Sequence, residues 1–210
     1  MQKFVAGLAL LGGVIAPSIA SAAEDSWDGG YAVKAERRSG FVASAGIGFG
    51  VAGGEGYPND VSKIDDPDYR TTADPAFGSM NSIWIGGALR DWFTFGLGLN
   101  GFGAKDGDLT TRGSAFILHI EAFPLYNLGG KLRDLAFYTD FGAGGLLIEG
   151  GPEKADGGFI SYVGAGSSFE LWRLGHFALG PTLGGVYTYS QSVDAFGAFL
   201  GFRASFYGGP

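Results

Sequence analysis

From Phe41 onward the chain alternates with a period of two. Over 41–52, Phe41, Ala43, Ala45, Ile47, Phe49 and Val51 fall on one face. Val42, Ser44, Gly46, Gly48, Gly50 and Ala52 fall on the other. One face is bulky and apolar, the other nearly bare, which is the signature of a β-strand; the helical 3.6 period is absent. The same two-faced pattern returns over 82–90, 92–103, 112–123, 135–148, 159–172, 176–189 and 194–207. In the second of these, Phe93, Phe95, Leu97 and Leu99 oppose Thr94, Gly96, Gly98 and Asn100. In the last, Phe196, Leu200, Phe202 and Phe206 oppose Gly197, Gly201, Arg203 and Ser205. The pattern predicts about eight strands of roughly 9–14 residues, the length a tilted membrane strand requires.

The connections alternate too, apart from a Tyr126 to Arg133 turn that is longer than the alternation prefers. A long segment, Gly54 to Met80, follows the first strand, and a tight turn at Arg90-Asp91-Trp92 follows the second. Lys105 to Asp108, Tyr126 to Arg133, Glu149 to Gly158, Arg173 to Gly175 and Ser190 to Ser192 complete the set. Short turns at one end and longer loops at the other are the layout of an up-and-down membrane barrel. With both termini on the periplasmic side, 54–80 is expected outside the cell.

Ahead of the strands, Lys3, an apolar run from Phe4 to Ile15 and small residues at Ala20-Ser21-Ala22 form a secretory pattern. Pro17 and Ser18 interrupt the run before it reaches the ~20 residues a spanning helix needs. The expected organisation is a cleaved signal peptide over 1–22, a polar periplasmic leader over 23–39, the barrel over 40–207 and an extension over 208–210.

Composition decides which face meets lipid. The chain has 210 residues, of which 40 are Gly, 18 Phe and none Cys, with a net charge of −7. A soluble carrier barrel would present Lys, Glu, Thr and Asn on its outer face. Here the non-bulky face is Gly, Ala and Ser with isolated charges, so it is expected to point into a narrow lumen. The bulky face is then left for lipid. Trp92, Tyr126, Trp172, Tyr187, Tyr189 and Tyr207, with Phe102, Phe123 and Phe159, fall near strand ends and are expected at the membrane interfaces. The acidic balance excludes nucleic acid as a partner, and the lack of Cys removes thiolate chemistry and Cys-based metal sites.

This architecture resembles the small eight-stranded outer-membrane barrels, the OmpA transmembrane-domain and OmpX-like group, over about 40–207. The resemblance rests on pattern, with one motif: Gly201, Ala204 and Phe206 fit the terminal Gly-x-x-apolar-x-aromatic spacing read by the assembly machinery. Gly208-Gly209-Pro210 departs from it, since such barrels commonly end on the aromatic. The resemblance implies a bacterial outer-membrane location. Lipids, lipopolysaccharide and the assembly machinery are the partners it implies.

Arg90, His119, Glu121, Asp140, Glu170 and Arg203 lie on the expected inward face. Isolated charges in a narrow lumen need partners, so they are expected to form an internal polar network, structural or, by the resemblance, able to rearrange and pass small solutes. No cofactor is implied. Two barrel enzyme types share this size, lipid A deacylases and palmitoyl transferases. The deacylases need a lipid-facing His-x-Ser, whereas His119-Ile120-Glu121 faces inward and His176-Phe177-Ala178 lacks a nucleophile, so no enzyme is expected. Two G-x-G-x-x-G matches, Gly48 to Gly53 and Gly96 to Gly101, are by-products of glycine at alternate strand positions. The loop acids Asp60, Asp65, Asp66, Asp68 and Asp74 lack EF-hand spacing: counting from Asp66, positions 6 and 12 are Thr71 and Phe77. They are expected as a solvated surface, with weak divalent bridging to lipopolysaccharide phosphates as the sharper alternative. A structural or surface-interaction barrel with an extracellular ligand at 54–80 is the leading expectation. A small passive pore and a soluble periplasmic binding barrel are the alternatives.

Overall fold

A computed structural model of the chain describes residues 37–128, 130–151 and 153–209. The expected signal peptide, and all of the expected leader before Arg37, lie outside the described residues. Eight long antiparallel strands follow one another: β1 (Gly40–Gly56), β2 (Thr71–Arg90), β3 (Phe93–Asp106), β4 (Leu109–Ala122), β5 (Leu135–Glu149), β7 (Ile160–Phe169), β9 (Phe177–Tyr189) and β10 (Val193–Tyr207). Two short pieces are added, β6 (Ala155–Asp156) beside β5 and β8 (Trp172–Leu174) beside β9. Each long strand pairs with the next in sequence, and β10 returns to β1 with Ala45 opposite Ala204 and Gly56 opposite Val193. The sheet therefore closes and the barrel has no free edge.

Alternation governs the wall. Phe41, Ile47, Phe49, Ile83, Leu97, Leu99, Phe116, Phe137, Leu183, Leu200 and Phe202 are exposed on the outside. Their in-strand neighbours Val42, Ser44, Trp84, Asn100, Ala115, Ile117 and Arg203 are buried inside. An exterior of this kind matches the lipid-facing band of a transmembrane barrel and would be a large aggregation-prone patch in water.

The inward glycines have a steric reason sharper than lumen width. A Cβ on Gly180 would sit 1.7 Å from the Phe169 carbonyl oxygen, and one on Gly144 would sit 1.8 Å from that of Ser114. In a strongly coiled small barrel the neighbouring backbone occupies the space where an inward side chain would start. Gly107 has a different role: its left-handed backbone (φ 57°) makes the two-residue β3–β4 turn.

The strands run further than periodicity indicated. Residues 54–56 extend β1 and 71–80 begin β2, so the connection expected over 54–80 is a loop over 57–70. The register shifts between Ala52 and Gly54, which breaks the alternation and hid these extensions from a period-two reading. Asp74 accordingly lies on β2, where its backbone N–H donates to Asp106 Oδ2 at 3.1 Å.

Candidate functional site: the lumen

The lumen divides along its axis. Toward the end bearing the 57–70 loop it is apolar: Phe102, Ile117, Leu146, Ile148, Ile160, Val186, Val193 and Phe199 form one buried cluster. The Phe102 and Phe199 rings lie 6.5 Å apart at 50°. Phe102 is therefore a filler and not an interfacial aromatic; its even position in β3 puts it on the Asn100 face.

Midway, two polar groups take over. His119 on β4 lies opposite Asp140 on β5 in the register, and its Nδ1 is 2.6 Å from Asp140 Oδ1. The amide of Asn100 on β3 donates to Asp140 Oδ2 and to the Tyr162 hydroxyl, both at 2.9 Å. Trp84 stacks on the His119 ring at 4.4 Å. Two residues further along β4, Glu121 meets Arg203 of β10 at 2.5 Å. Ser168 and Thr94 donate to the same carboxylate at 2.9 and 3.2 Å. Glu121 is fully buried, and each of its oxygens has a donor, as a carboxylate in this position requires.

At the opposite end, where β1 begins and β10 ends, the described residues just before β1 pack into the mouth of the barrel. The Arg38 side chain is fully buried, with its guanidinium 3.6 Å from the Phe123 ring centroid. Its Nη2 donates to Asp134 Oδ1 at 2.7 Å and to Glu170 Oε2 at 2.8 Å, and Nη1 donates to the Asp91 carbonyl at 3.1 Å. Burial alone would lower the Arg38 pKa, but the Glu170 and Asp134 carboxylates outweigh it and hold it above the usual range. Arg37 adds a second contact to Asp134 at 3.2 Å, and Tyr207 donates its hydroxyl to Glu170. Arg38 thus acts as a stopper tied to β2–β3, β4–β5 and β7–β9 connections at once.

The expected inward charges are placed as follows. His119, Glu121, Asp140, Glu170 and Arg203 are buried in the lumen, in two groups at mid-height and one at the Arg38 end. Arg90 is not among them: it is exposed at the end of β2, where a register irregularity between Ala88 and Arg90 turns the alternation over. Of the expected interfacial aromatics, Trp92, Trp172, Tyr187 and Tyr189 are exposed and Tyr126 is half-buried. Tyr207 and Phe123 are buried instead, Tyr207 because its parity follows Arg203 and Ser205, Phe123 because Arg38 covers it. In the terminal strand Ala204 is outward and exposed, Phe206 half-buried and Gly201 packed against the Ile47 carbonyl.

The sequence reading missed Arg38, Asp134, Asn100 and Tyr162. A charge count held a signal for the first. With Arg90 removed, the inward face carries Glu121, Asp140 and Glu170 against Arg203 alone, and buried carboxylates in excess call for another cation.

At the loop end, Asp60 accepts from the Ser62 backbone and hydroxyl at 3.0 and 2.8 Å, which lowers its pKa. Asp66 caps the turn Pro67–Tyr69 by accepting from the Asp68 N–H at 3.1 Å. Lys63 crosses to Glu153, whose carboxylate raises the ammonium pKa, and Arg70 pairs with Glu55. Among the described residues no group of three or more His, Asp or Glu side chains converges to hold a metal ion.

No protein-family model matches the chain, and no curated protein sequence is significantly similar to it. Solved structures of comparable shape are distant in sequence. The attachment invasion locus protein Ail of Yersinia pestis, crystallised with the heparin analogue sucrose octasulfate, is 14% identical with a TM-score of 0.48, covering 79% of this chain and 99% of its own. Neisserial surface protein A is 11% identical (TM-score 0.44; 78% and 95% covered). The N-terminal β-barrel domain of Pseudomonas aeruginosa OprF is 17% identical (TM-score 0.42; 79% and 97% covered).

Proposed function

We propose that this chain is an integral outer-membrane barrel with a structural or surface-interaction role and a plugged lumen. The observation that carries the reading is the pairing of an apolar outer wall with an interior crossed by side chains at every level. Phe102 and Phe199 fill one half, the Glu121–Arg203 pair crosses the middle and Arg38 stoppers the opposite end. The cavity at mid-lumen measures about 30 Å³, too small for a solute larger than water. A soluble carrier would not expose Ile47, Phe49 and Leu200, and a carrier of any kind needs a larger interior.

The proposed surface element is the loop end, read as extracellular because it carries 57–70, the longest connection between the described strands. Loop 57–70 is tied to its neighbours: the Asp156 N–H donates to the Tyr57 carbonyl at 3.1 Å, and that of Tyr57 to Ser192 at 2.8 Å. Val61 on this loop and Phe159 on the β5–β7 connection stand exposed, suited to an extracellular contact, with outer-membrane lipid and lipopolysaccharide around the wall. Assembly machinery reading Gly201, Ala204 and Phe206 completes the proposed set of partners.

Purified protein folded into a planar bilayer is expected to give no stable conductance steps. Discrete, reproducible steps at the single-channel level would overturn the plugged reading. Deletion of 58–69 is expected to leave the heat-sensitive shift in gel mobility intact, because every ladder pair survives it; loss of the shift would contradict a surface-loop role.

A further inference from the structure

We propose that the mid-lumen cavity binds an ordered water held jointly by His119, Asn100 and Arg203. Three buried polar atoms have no hydrogen-bond partner among the described residues and belong to side chains lining this one cavity: His119 Nε2, Asn100 Oδ1 and Arg203 Nη2. All three residues are at least nine-tenths buried, so bulk solvent does not satisfy them. Leaving such groups unpaired is costly, and native interiors meet the cost with internal water.

The neighbours set the characters of Asn100 and Arg203, and the proposed water takes the His119 ring as neutral with its hydrogen on Nδ1. Asp140 is a carboxylate that accepts from Asn100 through Oδ2, so the 2.6 Å contact at Oδ1 places the ring hydrogen of His119 on Nδ1. In the neutral ring Nε2 is then an acceptor. Both N–H groups of the Asn100 amide are spent on Asp140 and Tyr162, which identifies the remaining atom as the carbonyl oxygen, a second acceptor. Arg203 spends Nη1 on Glu121, and its Nη2 is a donor. Two acceptors and one donor are the complement of a single water, which donates twice and accepts once. A halide would satisfy Arg203 but repel both acceptors.

Size and rigidity agree. The cavity's ~30 Å³ exceeds the about 10–15 Å³ that one water needs. The His119 ring is held by its bond to Asp140 and contacts the rings of Trp84 and Tyr138, with centroids at 4.4 and 5.5 Å. Bound there, the water joins the His119–Asp140–Asn100 group to the Arg203–Glu121 group, making one continuous network across the lumen.

The chain's two histidines make the test direct. Nitrogen-15 NMR of the folded barrel in lipid nanodiscs at neutral pH, with His176→Asn to assign the spectrum, reads the His119 tautomer. Expected are a hydrogen on Nδ1, none on Nε2, and a cross-peak from the His119 ring protons to a water that does not exchange within the mixing time. Replacing chloride by bromide should leave the ring shifts unchanged. A hydrogen on Nε2, absence of the water cross-peak, or a shift that follows the halide would each overturn the proposal.

Discussion

Around Phe102 and Phe199 the lumen is packed as an apolar core, whereas around Glu121 and Arg203 it is packed with charge. Both regions lie inside the same wall and neither has room for bulk water, but they respond to damage in different ways. In the apolar half every atom contributes a little, and loss is proportional to the volume removed. In the polar half the favourable and unfavourable contributions are both large, and each partner exists to offset the other's desolvation. The charged layers thus add little net stability, but they make removal of any one member expensive.

The largest expected effect follows from that asymmetry. Arg203→Met leaves Glu121 buried with Ser168 and Thr94 as its remaining donors, at a cost of about 3–5 kcal/mol. The double variant Glu121→Leu with Arg203→Met is expected to recover most of that loss, since no charge is left uncompensated. Urea unfolding in phospholipid vesicles, followed by tryptophan fluorescence, measures both. A double variant as unstable as the single would show that the ion pair contributes net stability, and the contrast between the halves would fail.

In the apolar half, Ile117→Ala removes a side chain that is 1% exposed and should cost about 2–4 kcal/mol by the same measurement. Here no second truncation is expected to compensate. A loss below about 1 kcal/mol would mean that the cluster collapses around the deletion and is less rigid than the polar layers.

How much of this was legible in the sequence depends on how local the cause is. Strand alternation is a property of adjacent residues, so the outward placement of Ile47, Phe49 and Leu200 and the inward placement of His119, Glu121 and Asp140 could be read directly. Where a bulge changes the parity, as before Arg90 and after Ala52, the same reading inverts, because nothing in the side-chain pattern marks the extra residue. Tyr207 shows a different failure. Its parity pointed inward, but its position near a strand end favoured an interfacial assignment, and the Glu170 carboxylate that receives its hydroxyl lies 37 residues away. Arg38 was hidden for a related reason. It stands in a polar stretch outside every strand, and its partners Asp91, Asp134 and Glu170 come together only when the barrel closes.

That stopper tests whether charge at the rim behaves like charge at mid-lumen. Arg38→Met leaves Glu170 and Asp134 without their shared donor, but Arg173 and Arg37 stand at 3.4 and 3.2 Å from those same carboxylates. Partial replacement by these neighbours and nearby water reduces the expected cost to about 1–3 kcal/mol. A loss as large as that of Arg203→Met would place the rim in the same dry environment as the middle.

The smallest effects belong to the loop end, where charges are paired but wet. Arg70→Met breaks an ion pair whose two side chains are each 46% exposed, and it should change stability by about 0–1 kcal/mol. The Lys63–Glu153 pair adds a pH dependence of defined sign. Contact with Glu153 raises the Lys63 pKa, so its contribution is fully present below the ordinary lysine range and is lost as pH rises through the raised value. Between pH 6 and 9 the unfolding midpoints of wild type and Lys63→Met should therefore run parallel, and they should converge only in strong alkali. Convergence within the neutral range would mean that another titrating group governs this loop, and the division between a dry lumen and a wet cap would have to be redrawn.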